Sequence, residues 1–251
     1  MSAVKLPKKV VSTLTDSVEV AGLLGINSIV LDGHSVRGRH HEAGTIFVMN
    51  FDADTEWEFG AIGITRIPEL SKRLNLMKTR GDDFTIEAEL KTRGEDVTYA
   101  GRLTLKHAKT KVEYKCGDPT LIKAPKGLAD EEYFTCALTR DDIKFIKSAN
   151  SAMGADKLIF SNPKDTDNFV ISIPNKEDEK VVHETDGVVG YLSDATSFSF
   201  AYDSKILIMA INSMEKILRK DDLDALEMKI TRRGVLTFPV KGITTYIIPS
   251  P

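Results

Sequence analysis

The sequence predicts an α+β chain built from two similar halves, and three observations lead to that expectation. Short stretches of alternating apolar and polar residues, the period of half-buried strands, recur along the whole length and are broken by four stretches of helical period. The spacing Leu6, Val11, Leu14, Gly22, Ile26 returns as Leu138, Ile143, Ile146, Gly154, Leu158, every position shifted by 132. Further on, Thr55-Glu-Trp57-Glu-Phe59 returns as Thr196-Ser-Phe198-Ser-Phe200, shifted by 141, and each copy leads into a second basic helical stretch. The two shifts differ by nine residues, which places an insertion in the second copy, and the polar, charged segment Asn162 to Gly187 is where it fits. A tandem unit of this kind suggests a body built by repetition rather than around one catalytic cleft.

The elements follow in order. A helix starts near Pro7, whose fixed φ suits a first turn. Val11, Leu14 and Val18 form its apolar face, Lys8, Lys9, Thr13 and Asp16 point away, and Gly22 and Gly25 end it. Ser28–Leu31 and Val36–His40 read as strands around the turn Asp32-Gly33. Thr45–Phe51 and Glu56–Ile64 are two more. The second helix follows Pro68 and stops at Gly81, with Leu70, Leu74 and Met77 inward and Lys72, Arg73 and Lys78 outward. Phe84, Ile86, Ala88 and Leu90 alternate with polar residues, and Val97–Leu105 and Lys109–Cys116 continue the sheet.

Gly117 to Asp130 is punctuated by Gly and Pro without a clear period and reads as a connection. The expected organisation is a first domain over 1–116, a connecting loop over 117–133 and a second domain over 134–251. The second copy repeats the order. Phe134–Leu138 is a strand, and Arg140–Met153 is a helix with Ile143 and Ile146 inward and Lys144 and Lys147 outward. Strands follow at Lys157–Ser161, Phe169–Ile173, Val181–Leu192 and Ser197–Tyr202. Ser204–Lys220 is the fourth helix, and Leu223–Thr231, Gly234–Val240 and Thr244–Ile248 close the sheet.

With 41% hydrophobic and 28% charged residues the composition is that of an ordinary globular chain. No apolar run reaches the ~20 residues that cross a bilayer, and the first residues lack the apolar core of a secretory signal. Cys116 and Cys136 have no metal-ligand spacing and read as free thiols of a reducing compartment, with a disulfide as the lesser alternative. The cytosol, or that of an infected host, is the expected location. The net charge of -3 argues against nucleic acid until its distribution is considered. Four helical windows, Lys5–Asp16, Pro68–Arg80, Thr139–Gly154 and Ser204–Lys220, hold 14 of the 34 basic residues but 5 of the 37 acidic ones. The helices therefore sum to a positive surface on an otherwise acidic protein.

Two segments have a more specific look. Asp130-Glu-Glu-Tyr-Phe-Thr-Cys136, with Leu138 and a basic helix after it, and the ending Thr245-Tyr246-Ile247-Ile248-Pro249 occur in this order around the duplication. In both, and in element order over nearly the whole chain, the sequence resembles DNA polymerase sliding clamps of the proliferating-cell-nuclear-antigen and tailed-phage type. The resemblance implies two tandem clamp-like domains with helices lining an inner face and antiparallel sheets outside, and three such subunits closed into a ring around duplex DNA. It implies a non-enzymatic processivity factor without cofactors or metal, viral or phage in source, or nuclear if eukaryotic. Its partners would be double-stranded DNA, a DNA polymerase, a clamp-loader ATPase and two further copies of itself, with no membrane.

On this resemblance the DNA-facing set is Lys8, Lys9, Lys72, Arg73, Lys78, Arg140, Lys144, Lys147, Lys205, Lys216, Arg219 and Lys220. Such contacts read no bases and are salt-sensitive, as a sliding ring requires. A partner-peptide pocket would take Leu121, Ile122 and Leu128 from the connection and Tyr246, Ile248 and Pro249 from the last strand. Subunits would meet through edge strands, with Thr110, Val112 and Tyr114 on one side and Val170 and Ser172 on the other.

Two alternatives stand beside this reading. One keeps the fold as a monomeric or heteromeric-ring processivity or checkpoint subunit. The other is a hydrolase or metal enzyme on an unrelated α+β scaffold, using His34, His40, His41 and Glu42. Adjacent histidines of a strand point to opposite faces, and no fourth ligand is evident, so exposed loop histidines are the simpler reading. There is no phosphate loop, because Gly22-Leu-Leu-Gly25 lacks a following Lys-Ser/Thr, and no Ser in a Gly-x-Ser-x-Gly setting. Asp82-Asp83 and Asp221-Asp222 each follow a basic helix and read as turn residues.

Overall fold

The computed structural model describes residues 3–33, 35–40, 45–50, 60–81, 83–93, 97–124, 132–162, 169–177, 179–185, 190–191, 197–219, 224–240 and 243–250. The chain divides into two compact units, Met1–His41 with Ile46–Gly127 and Glu42–Thr45 with Leu128–Pro251.

Unit 1 runs β1 (Ala3–Lys5), α1 (Lys8–Leu23), β2 (Ile29–Asp32), β3 (Ser35–Arg39), β4 (Thr45–Asn50), β5 (Ala61–Ile64), α2 (Ile67–Lys78), β6 (Thr85–Arg93), β7 (Val97–His107) and β8 (Thr110–Lys115). One antiparallel ladder joins β1, β6, β7 and β8. A second joins β5, β2, β3 and β4. A short parallel pairing of Ala61 with Tyr99 and Ile62 with Ala100 fuses the two. The helices α1 and α2 lie against each other and over β6 and β7. Helical spacing puts Val10, Leu14, Val18 and Ala21 of α1, and Ile67, Leu70, Leu74 and Met77 of α2, in a core closed by Ile86, Ala88, Leu103 and Leu105 from the sheet. Of the expected apolar face of α1, Leu14 and Val18 are buried, while Val10 is buried in place of Val11, which is half-buried. The stretch from Gly117 to Gly127 also belongs to this unit. Gly117 bridges to Gly63, and Asp118 caps a 3-10 turn over Pro119–Leu121 by accepting from the Thr120 N–H at 2.9 Å.

Unit 2 runs β9 (Glu132–Thr139), α3 (Arg140–Met153), β10 (Lys157–Asn162), β11 (Val170–Pro174), β12 (Lys180–Glu184), β13 (Gly190–Tyr191), β14 (Phe198–Asp203), α4 (Ser204–Arg219), β15 (Ala225–Thr231), β16 (Leu236–Val240) and β17 (Ile243–Ile247). Its ladders are β9-β15-β16-β17 and β14-β10-β11-β12, the counterparts of the two in unit 1. The duplication is therefore visible in pairing and not only in element order. The β2–β3 turn of unit 1 has become residues 163–169 between β10 and β11, within the expected insertion. The expected strand Val181–Leu192 is two strands: β12 pairs with β11, while β13 pairs with β9. Phe134, Phe160, Phe169, Phe198 and Tyr202 form an aromatic core with ring centroids 4.7–6.4 Å apart. The helix α3 begins with a full capping box, Thr139 and Asp142 each receiving the other's backbone N–H, and ends at Gly154 in the left-handed conformation at φ 59°.

Strand β1 was absent from the sequence reading, which began a helical window at Lys5. The shift of 132 contains it, since Leu6 maps onto Leu138 near the end of β9. The repeated Thr55–Phe59 lies outside the described residues, whereas its counterpart Phe198 and Phe200 sit on β14.

Candidate nucleic-acid interface

In each unit the helices expose the side opposite to their core contacts, and most of the expected cations stand there. Lys8 and Lys9 on α1, Lys72 and Lys78 on α2, Arg140 and Lys144 on α3, and Lys205 and Lys216 on α4 are exposed. Lys144 leans on Asp141 of its own turn at 2.9 Å, a surface pair of small energetic weight.

Two members of the set are held differently. Lys147 is half-buried and bonds Glu215, tying α3 to α4. Arg73 bonds Glu69 at 3.4 Å and lies over the Tyr114 ring at 5.4 Å from its centroid. Both charges are spent within their own unit, because a cation facing a helix–helix seam or an aromatic ring satisfies itself before it meets solvent. The side chain of Arg219, and Lys220 altogether, lie outside the described residues.

The opposite face of the unit 1 sheet carries charge of another kind. Successive strands place Glu87 and Glu89 on β6, Arg102 and Lys106 on β7, and Lys111 and Glu113 on β8. These pair with one another: Lys106 with Glu87 at 2.6 Å, Arg102 with Glu113 at 3.0 Å and Lys111 with Glu113 at 2.7 Å. The hydrogen bond and charge of Lys111, then the charge of Arg102, hold the Glu113 carboxyl below its usual range. Cross-strand pairing thus neutralises the sheet face, while most of the expected cations on the helix face stand exposed.

The expected edges are changed by the structure. Among the described residues β8 pairs with β7 alone and is an edge strand. Of its expected interface residues, Thr110 and Val112 are half-buried, but Tyr114 is a core residue. The Tyr114 ring lies beneath Arg66 and Arg73, and its hydroxyl accepts the Arg66 N–H at 3.2 Å. In unit 2, Val170 and Ser172 do not lie on an edge. They sit on β11, paired on one side to Ser161 and Ile159 and on the other to Glu184 and Val182. The edge is β12, one strand further out. The same order holds in unit 1, where β4 lies outside β3, and strand pairing of this kind is not contained in a pattern of alternating residues. Sequence reasoning passed over Val182, a large apolar side chain 52% exposed on that edge. The next residue on β12, His183, bonds Asp142 at 2.7 Å and stacks on Phe145 with ring centroids 4.3 Å apart.

The expected peptide-pocket residues are described one unit at a time. In unit 1, Leu121 is 78% exposed at the end of the 3-10 turn and Ile122 is half-buried near Gly63. Leu128 lies outside the described residues. In unit 2, Tyr246 and Pro249 are half-buried and Ile248 is exposed, while Ile247 is the core residue of β17. The C-terminal stretch is anchored where the Ser250 N–H donates to the Ala201 carbonyl at 2.8 Å, beside β14.

Nothing in the described residues assembles a catalytic centre. His40 is half-buried, and His34, His41 and Glu42 lie outside the described residues. Among the described residues no three His, Cys, Asp or Glu side chains gather as a metal site. Cys116 and Cys136 are free and buried, and burial pushes both thiols up to about 12, which leaves them protonated and unreactive. No helix among the described residues is long and apolar enough to cross a membrane.

No family model matches the sequence, and no curated protein sequence matches it either. Solved structures do. Proliferating cellular nuclear antigen from Entamoeba histolytica superposes with a TM-score of 0.63 at 12% identity, covering 99% of this chain and 98% of that one. The chain has the sliding-clamp fold. A structure of the C-terminal region of FEN-1 bound to A. fulgidus PCNA agrees, with a TM-score of 0.59 at 14% identity over 100% of this chain and 99% of that one. At such identities the likeness lies in the clamp fold itself: two units, each with a pair of helices against antiparallel ladders.

Proposed function

We propose that this chain is a sliding clamp, a processivity factor that closes into a ring around duplex DNA and tethers a polymerase. The observation that carries the proposal is the coincidence of the clamp fold over the whole chain with exposed cations on both helix pairs. In a ring lined by those helices, Lys8, Lys9, Lys72, Lys78, Arg140, Lys144, Lys205 and Lys216 meet phosphates from all sides. Arg73 and Lys147 brace the wall instead. Contacts of this type exchange counterions and read no sequence, so the ring is centred yet free to slide.

Ring closure in this proposal pairs the edge β8 of one subunit with the edge β12 of the next, a head-to-tail contact that closes by rotation. The expected homotrimer follows from two units per chain and six around the ring. Partner proteins, the polymerase and a clamp-loader ATPase among them, dock by short apolar segments on Leu121, Ile122, Tyr246, Ile248 and Pro249. That the C-terminal region of FEN-1 is bound to A. fulgidus PCNA supports the docking of a partner's segment on a clamp. The protein acts as a scaffold and takes no part in bond chemistry.

The test is topological. The protein is loaded on nicked circular DNA, washed at high salt, and the DNA is then linearised. A ring stays on the circle and is lost from the free ends. Loss from the circle at high salt sinks the ring. Light scattering over a wide concentration range accompanies it, with an approach to three subunits expected. A strict monomer in that measurement leaves a monomeric or heteromeric processivity subunit of the same fold.

A further inference from the structure

Unit 1 contains a cavity of about 670 Å³ between the start of α1, the end of α2 and the start of β6. That is the size of a small-molecule site. Its wall is apolar, formed by Leu6, Pro7, Val11 and Phe84. Three cations stand around it, Lys5, Lys8 and Lys78, all exposed and none in an ion pair with another described residue. The two acids among the described lining residues are both engaged: Asp83 bonds His107 at 2.8 Å, and Asp16 also has a partner. The first turn of α1 adds no acidic residue and no side-chain cap.

The two units differ at this place. The first helices of the two units begin at Lys8 and Arg140, the same shift of 132 that relates Val11 to Ile143. The second helices differ, with 12 residues in α2 and 16 in α4. Ile143 is 2% exposed, whereas Val11 remains half-buried on the cavity wall. Unit 1 has thus kept an apolar wall that unit 2 buries, and it has lined the opening with lysines. Long lysine stems can lie along such a wall while their ammonium groups stay at its rim.

We propose that this cavity binds a small amphipathic anion, an apolar chain or ring system ending in a carboxylate or sulfonate. The wall selects the apolar body and rejects inorganic phosphate, which has none. The lysines select the sign of the head group. The site lies in unit 1 alone and shares Lys8 and Lys78 with the proposed DNA-facing set; probe binding is measured without DNA, so its failure leaves the clamp reading standing.

The test uses the full-length protein and the fluorescent probe 8-anilinonaphthalene-1-sulfonate, with dodecanoate as competitor and dodecylammonium as the control of opposite charge. The expected result is saturable binding of one probe per chain, displaced by dodecanoate below its micellar range and not by dodecylammonium. Val11→Trp, which fills the cavity, is expected to weaken probe binding at least tenfold. The surface variant Lys5→Gln/Lys8→Gln/Lys78→Gln, which leaves the core untouched, is expected to weaken probe and dodecanoate alike by a similar factor. Absence of saturable binding overturns the proposal. So does equal displacement by dodecylammonium, or wild-type affinity in the triple-lysine variant.

Discussion

Replacing Asp142 with alanine tests how unit 2 joins its third helix to its edge strand. The carboxylate is buried at 4% exposure and accepts three hydrogen bonds: from the Thr139 N–H at 2.8 Å, the Thr139 hydroxyl at 2.7 Å and His183 at 2.7 Å. Loss of a helix cap costs ~1 kcal/mol. Loss of a hydrogen bond to an ionised group costs ~1.5–3 kcal/mol, here toward the low end because His183 is 23% exposed and therefore partly solvated. One carboxylate serves both roles, so the sum is an upper bound, and about 2–3 kcal/mol is expected at neutral pH.

The pH dependence adds a second constraint. Burial alone raises the Asp142 pKa, but the hydrogen bonds from Thr139 and His183 outweigh it and hold the group below its ordinary 3.8. A depressed folded value means that the stabilisation is complete above the unfolded pKa and is lost as pH falls through the folded one. The deficit of Asp142→Ala relative to wild type should therefore be full at pH 6–7 and shrink on acidification below ~4. Urea unfolding followed by circular dichroism at several pH values measures it. A deficit under ~0.5 kcal/mol at pH 7, or one that persists undiminished to pH 3, refutes the argument.

Other expectations are shorter. Gly234→Ala is expected to destabilise unit 2 by ~1–3 kcal/mol, because the residue sits at φ 78° and an added Cβ would lie 2.4 Å from the Phe200 ring; thermal unfolding reads it, and an unchanged melting temperature counts against the packing described. For Lys147 and Glu215, half-buried across α3 and α4, a double-mutant cycle with Lys147→Met and Glu215→Gln should give a coupling of ~1 kcal/mol or more, and zero coupling would return Lys147 to the solvent-facing set. Arg140→Glu with Lys144→Glu should lower loading onto DNA several-fold and flatten its salt dependence while leaving the fold intact; unchanged loading removes α3 from the DNA-facing wall. Tyr246→Ala with Ile248→Ala should reduce polymerase stimulation without loss of the folded state, and outright unfolding would make both residues structural.

Much of the architecture was legible because strand and helix periods are local properties. Leu70, Leu74 and Met77 repeat every third or fourth residue and are buried where that spacing places them. The capping box at Thr139 was missed although both its residues are consecutive with the basic helix, and β1 was missed because three residues carry too little pattern. The candidate site was less legible. A lysine on an exposed helix turn looks alike in sequence whether it faces solvent, as Lys144 does, or a carboxylate on a neighbouring helix, as Lys147 does. Only packing distinguishes them.

The sequence by itself determined the duplication, the α+β class and the concentration of positive charge on helices, because each depends on residue order over a few turns or on a repeat in register. Tertiary structure decided which strands are edges, since that depends on which segments pair: β12 rather than β11 is outermost because β11 is paired on both sides, to β10 and to β12. It also decided that the charged face of the unit 1 sheet neutralises itself, because Glu87, Arg102 and Glu113 become neighbours only when β6, β7 and β8 are aligned. The cavity beside α1 likewise exists only in the folded chain, since its wall joins Leu6, Pro7 and Val11 to Lys78 and Phe84.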